Sequence, residues 1–197
     1  MIALAPLLLG LAVSIRPAVL SDAADAEALC AIRAPTQYVV EDGGVGFMGK
    51  RVELSPEEAF ERRVQARLGT AIRDKAVVLI ARDDAEEAGP IIGTVDCIEL
   101  PEGKGRRALA PELPRRFLIR NLWVDESRRR QGLARELMVE AEALALEMGI
   151  RCLVLEVNAE NAPARALYED IGFEDLEPTP VPLPSFLKSA FFLGKEL

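Results

Sequence analysis

Between Phe117 and Met148 the chain passes from an apolar stretch into an amphipathic one through three arginines and a glycine, and this junction constrains the fold more than any other segment. Phe117 to Val124 reads as a strand. Leu133, Leu137, Ala141, Leu144 and Met148 then recur at helical spacing until Gly149 supplies a stop. A strand that turns directly into a helix aims unpaired backbone N–H groups, and the positive end of the helix dipole, at one point where an anion such as pyrophosphate can bind. Gly132 and Ala134 keep bulky side chains away from that point, while Arg128, Arg129 and Arg130 add cationic screening and forks able to make bidentate contacts. An arginine run by itself is more often a solvated helix entry. Its place directly after a strand favours the anion site.

The flanking segments extend the pattern into a mixed α/β chain without internal repeats. Val13 to Val19 alternates like a first strand, and Ser21 offers an N-cap to a helix ending near Ile32. The Gly-rich segment Glu41 to Gly49 reads as a loop. Ser55, Pro56 and Glu58 form the N-cap, N1 and N3 positions of a capping box, with Ala59, Phe60, Val64 and Leu68 on one face of the next helix. Ala76 to Arg82 and Ile91 to Leu100 are apolar runs around acidic turn material, which predicts an antiparallel pair. Pro101 to Pro114 is an exposed connection, read either as a solvated loop or as a basic rim for an anionic ligand. Cys152 to Val157 returns to strand, a short helix runs from Ala162 to Asp170 and closes on Gly172, and Pro178 to Pro184 leads to a last apolar run, Ala190 to Leu193. At 197 residues the expectation is one domain over 14–197, preceded by an apolar extension over 1–13. That extension is too short for a bilayer span, is interrupted by Pro6, and has no basic residues before it as a secretory signal would. It reads as a packed or frayed segment, a targeting remnant or a misplaced start.

Composition narrows the chemistry. With no histidine in the chain, Ser-His-Asp and Cys-His hydrolases are excluded, and acid–base work falls to carboxylates, Tyr, Lys, Cys or bound water. Cys30, Cys97 and Cys152 are far apart, with no CxxC pairing, and read as reduced thiols rather than a disulfide framework or zinc site. A net charge of −8 disfavours nucleic acid as a partner, although positive charge is concentrated from Lys104 to Arg130.

Arg129-Arg130-Gln131-Gly132-Leu133-Ala134 fits [Q/R]-x-x-G-x-[G/A], the pyrophosphate loop of the GNAT superfamily of acyl-CoA-dependent N-acyltransferases, and the chain resembles that superfamily. The stretch from Asn158 to Phe173 is similar to its N-x-x-A-x-x-L-Y-x-x-x-G-F segment, at the expected separation. The resemblance is strongest from Leu122 to Phe173. It implies a mixed, mostly antiparallel central sheet with splayed central strands, flanked by helices, and acetyl-CoA as co-substrate with no metal. It places Leu122, Trp123 and Val124 along the pantetheine arm, Arg129, Arg130, Gln131, Gly132, Leu133 and Ala134 at the pyrophosphate, and Asn161 near the thioester end. Taken alone, Trp123 reads as core packing and Asn161 as a plain N-cap.

Tyr168 stands where the family commonly has a general acid for the departing thiolate, and the resemblance also puts it against the cofactor. A phenol, with a reference pKa of about 10, keeps its proton at neutral pH. Glu156 has the opposite parity to Leu153, Leu155 and Val157, which puts its carboxylate on the other face of the strand. The Glu and Tyr spacing, with Asn121-Leu122-Trp123-Val124-Asp125, resembles the bacterial ribosomal-protein alanine N-acetyltransferases, where the matching pair are base and acid. Without that resemblance Glu156 is equally a surface carboxylate. The strand before it carries Leu118, Arg120 and Leu122, so it offers no carboxylate. The expected activity is direct acetyl transfer to a protein N-terminal or lysine amine, with no nucleic acid and no membrane. A small-molecule amine acetyltransferase and a non-catalytic acyl-CoA-binding module are the alternatives. The segment from Leu176 to Ser189 departs from the alanine-acetyltransferase pattern. A cytoplasmic location is the simplest expectation, or a plastid or mitochondrial one if the apolar start belongs to a targeting sequence.

Overall fold

The structure, a computed structural model, describes residues 13–19, 23–32, 55, 58, 64, 68–69, 71–83, 89–102, 114–176 and 190–197. The apolar extension before Val13, the loop Glu41 to Gly49, most of the basic connection and the Pro-rich segment Pro178 to Pro184 lie outside the described residues. The chain divides into two compact units: the strand Val13–Pro17 with Ala76–Leu197, and Ala18–Lys75.

In the larger unit β1 (Val13–Pro17), β2 (Val77–Asp83), β3 (Ile91–Leu100), β4 (Arg116–Val124), β5 (Cys152–Asn158), β6 (Glu174–Asp175) and β7 (Ala190–Glu196) form one sheet in the order β1-β2-β3-β4-β5-β7-β6. The first strand stops at Pro17, short of the expected Val19, and the two-residue β6 has no signal of its own in the sequence. The predicted antiparallel pairing of β2 with β3 is present, Ile80 lying opposite Thr94. All neighbouring pairs are antiparallel except β4 and β5. These two are joined through α2 (Leu133–Glu147) and pair only where Phe117–Ile119 meets Leu153–Leu155. Beyond that point residues 120–124 and 156–158 leave each other, and the sheet is splayed at its centre.

The core lies under α2. Leu133, Leu137, Met138, Ala141 and Ala145 are its buried residues, against Val95 and Cys97 of β3, Phe117 and Ile119 of β4, and Leu153, Leu155 and Val157 of β5. Leu144 and Met148 are only partly buried, because an i, i+4 row drifts around a helix of 3.6 residues per turn and the deeper contact passes to Ala145. Gly93 on β3 allows α2 to approach: a Cβ there would lie 2.9 Å from Leu137 Cδ1. A short helix α3 (Ala162–Asp170) follows β5, and Tyr168 joins it to the same core.

The unit Ala18–Lys75 contains α1 (Ala23–Ile32), beginning two residues after the expected cap; Ser21 itself lies outside the described residues. Asp25, almost fully buried, accepts from Val19 N at 2.9 Å. The predicted capping box is present: Ser55 N donates to Glu58 Oε2 at 2.8 Å and Glu58 N to Ser55 Oγ at 3.2 Å. Leu68 is buried and Val64 half-buried, whereas Ala59 and Phe60 lie outside the described residues. Cys30, Cys97 and Cys152 are all buried, and none of the three is in a disulfide.

Candidate functional site

The site grows out of the splay. At the end of β4, Asp125 N donates to Ile92 O at 2.9 Å, and Asp125 Oδ1 accepts from Ser127 N at 2.9 Å and from Ser127 Oγ at 2.5 Å. The hydroxyl bond, then the amide bond, hold the Asp125 carboxyl below its ordinary range. This cap starts a single 3-10 turn, Glu126–Arg128. The chain then reaches α2 through Arg130 at φ +64° and Gly132 at φ +88°. Left-handed backbone at Arg130 is unfavourable for a side-chain-bearing residue, whereas Gly132 adopts it freely.

The consequence is a turn whose amides stand outside the helical ladder. The helical ladder of α2 begins with Glu136 N donating to Gly132 O at 3.1 Å. The N–H groups of residues 130 to 135 donate to no acceptor among the described residues. Each arginine has a separate role. Arg128 is ion-paired with Asp83, Arg129 Nε donates to Val124 O at 3.1 Å while its Nη1 reaches Glu126 Oε1 at 3.2 Å, and Arg130 has no ion-pair partner among the described residues. Gln131 Nε2 donates to Ser127 O at 3.0 Å, so this side chain braces the turn from inside.

The turn opens into a cavity of about 860 Å³ that runs through the gap between β4 and β5. Of the residues singled out in the sequence, Leu122, Val124, Arg129, Arg130, Gly132, Leu133, Ala134, Glu156, Asn161 and Tyr168 line it. Trp123 and Gln131 do not. Trp123 pairs across to Thr94 and is half-buried, outside the core cluster on which its neighbours Leu122 and Val124 pack. Glu156 is exposed between buried Leu155 and Val157, on the face opposite to theirs, where Val154 is also buried. Asn161 caps α3, its Oδ1 accepting from Ala164 N at 3.3 Å. Tyr168 is 8% exposed, its ring centroid 5.8 Å from that of Phe173. Burial pushes its phenol above the ordinary range. Arg135 and Asp170, which also line the cavity, form an ion pair between α2 and α3.

Two features escaped the sequence reading. Asn121 sits at φ +52°, where the β3–β4 register shifts between Thr94 and Asp96. It is a bulge residue of a type that tolerates left-handed backbone. Its Nδ2 donates at 2.7 Å to Asp96, a carboxylate only 1% exposed in the middle of β3. An acid inside the apolar run Ile91 to Leu100 was the available signal.

The sheet is mixed and parts between β4 and β5, with a strand–turn–helix corner at the gap. The chain belongs to the acetyltransferase (GNAT) family, whose model matches residues 47–173. It is 39% identical over 59 residues to GCN5-related N-acetyltransferase 4, chloroplastic, of Arabidopsis thaliana (30% of this chain, 20% of that protein). It is 44% identical over 55 residues to the ribosomal protein bS18-alanine N-acetyltransferase of Escherichia coli K12 (28% of this chain, 37% of that protein). The alignments thus span well under half of either relative's length. The fold is similar to that of one chain of the NatC complex bound to Gag peptide and CoA, with a TM-score of 0.59 and 19% identity over 94% of this chain and 98% of that one.

Proposed function

We propose that this chain is an acetyl-CoA-dependent N-acetyltransferase acting on a protein N-terminal amine. The observation that carries the reading is the set of N–H groups from 130 to 135, without acceptors among the described residues, at the mouth of the cavity that Glu156 and Tyr168 line. A cradle of amides at the start of a 15-residue helix suits a diphosphate, and Gly132 leaves open space, with no atom within 4 Å of where a Cβ would stand. Arg130 adds a cation. Leu122 and Val124 supply an apolar wall for the pantetheine arm, and Asn161 lies at the same cavity's α3 side.

Acetyl-CoA supplies an activated acyl group. The residues do the rest. Glu156, exposed in the cavity, takes a proton from the acceptor ammonium directly or through water, because only the free amine is nucleophilic. Tyr168 keeps its proton in the buried setting that raises its pKa, and delivers it to the departing sulfur. The N-terminal amine reading is supported by the 44% identity over 55 residues to the ribosomal alanine enzyme. Calorimetry with acetyl-CoA, followed by mass spectrometry of a peptide and amine library, tests it. Micromolar acetyl-CoA binding with acetylation of peptide N-termini is expected. Modification of polyamines alone would move the reading to a small-molecule enzyme, and binding without any acyl transfer would leave an acyl-CoA-binding module.

A further inference from the structure

Three adjacent strands bring Asp96, Asn121 and Glu156 to the same face of the sheet, opposite α2. On β3 the neighbours of Asp96, Val95 and Cys97, enter the core beneath α2, and so do Leu155 and Val157 on either side of Glu156. The intervening Asp96 and Glu156 therefore project from the other face. Asn121 reaches that face because the β4 bulge turns it there, and its bond to Asp96 fixes it.

The bond also decides which way the amide points. A carboxylate oxygen accepts, so the Asn121 NH2 group must face Asp96. The carbonyl oxygen, on the other side of the same planar amide, is then turned away from Asp96. Asn121 lines the cavity together with Glu156, is exposed, and its Oδ1 accepts from no described residue. A buried acid is thus used to present a neutral acceptor at the rim of the gap where the strands part.

We infer that Asn121 is a specificity-determining residue for the acceptor, its Oδ1 accepting one N–H of a primary amine whose proton is removed by Glu156, with Asp96 as the positioning residue behind it. Two acceptors, one charged and one neutral, favour a nitrogen with at least two hydrogens and hold it after deprotonation, when Coulomb attraction to Glu156 has gone. The inference rests on the acetyltransferase reading above and assigns part of its acceptor site.

The test uses the full chain and a hexapeptide with a free N-terminal alanine as probe. Asn121→Gly keeps the positive φ and removes only the amide. It should raise the peptide KM about tenfold or more, the usual effect of losing a hydrogen bond to a charged or strongly polar partner, with acetyl-CoA affinity by calorimetry unchanged. Asp96→Ala, which frees the amide to turn over, should raise the peptide KM in the same direction. Asp96→Asn, whose own carbonyl can accept from Asn121, should restore it. An unaltered peptide KM in Asn121→Gly, or a loss confined to acetyl-CoA affinity, would overturn the inference while leaving the transferase reading intact. Failure of the wild type to bind acetyl-CoA would overturn the transferase reading and this one with it. Wild type that binds acetyl-CoA yet leaves the peptide unmodified would overturn the N-terminal acceptor assignment and, with it, the role given to Asn121.

Discussion

Replacing Gly132 by alanine isolates the backbone contribution of the turn proposed to hold the diphosphate. At φ +88° the residue is in the left-handed region, and an added Cβ would meet no atom within 4 Å. Steric clash with neighbours therefore contributes nothing, and the cost is the conformational penalty of a side chain at positive φ, about 1–2 kcal/mol. For a chain of this size that corresponds to a fall in melting temperature of roughly 2–8 °C. The variant can relieve the strain only by turning the peptide units around residue 132, which moves the amides of the cradle. Losing one charge-assisted bond to a diphosphate then weakens acetyl-CoA by about 10- to 100-fold. Differential scanning calorimetry and isothermal titration of the same preparations read both quantities. Gly132→Glu should match the alanine variant in stability, since the space is open, and abolish binding through charge repulsion. If Gly132→Ala leaves both melting temperature and affinity at wild-type values, the assignment of strain and function to this turn is wrong.

Tyr168→Phe should lower kcat by on the order of 10²-fold with acetyl-CoA affinity unchanged, measured by thiol release against titration calorimetry. In its proposed role as acid Tyr168 acts when protonated, and since burial raises its phenol pKa, any fall in wild-type kcat caused by its ionisation should lie above pH 10. Arg130→Gly should show opposite effects: removing a side chain from φ +64° stabilises by up to about 1 kcal/mol in urea unfolding, while acetyl-CoA binding weakens roughly 3- to 10-fold through loss of a cation. Arg128→Ala, by contrast, leaves Asp83 without its guanidinium and should cost about 2 kcal/mol of stability, with the smaller effect on cofactor affinity. Burial, then the neighbouring Asp96, push the Cys97 thiol up to about 12. Its contribution is intact below the unfolded thiol pKa of about 9 and declines as pH rises towards 12, because the unfolded chain ionises first. Cys97→Ala should therefore lose about 1 kcal/mol less than wild type between pH 7.5 and 10. Identical pH slopes in urea would refute this.

The parts of this molecule that could be read from the sequence are those whose cause is local. Ser55 and Glu58 form their capping box within one turn of chain, and the strand–turn–helix junction needs only Gly132 at positive φ and a helix behind it to place its amides outside the helical ladder. That Glu156 faces away from Leu155 and Val157 follows from the two-residue period of β5, whereas its exposure does not, since Val154 on the same face is buried. What escaped is set by register between strands. Asn121 becomes a bulge because β3 and β4 shift between Thr94 and Asp96, and no window along β4 contains Asp96, the group that orients its amide. The same division explains Trp123 and Gln131, which stand inside the pyrophosphate and pantetheine motifs by sequence but turn their side chains elsewhere, Gln131 to Ser127 O and Trp123 out of the cavity. A motif that works through backbone amides constrains where its chain runs and leaves individual side chains free for other tasks. Exchanges in this turn that keep its charge and its backbone angles should therefore be tolerated, and Gln131→Ala should act on the stability of the 3-10 turn before it acts on cofactor affinity.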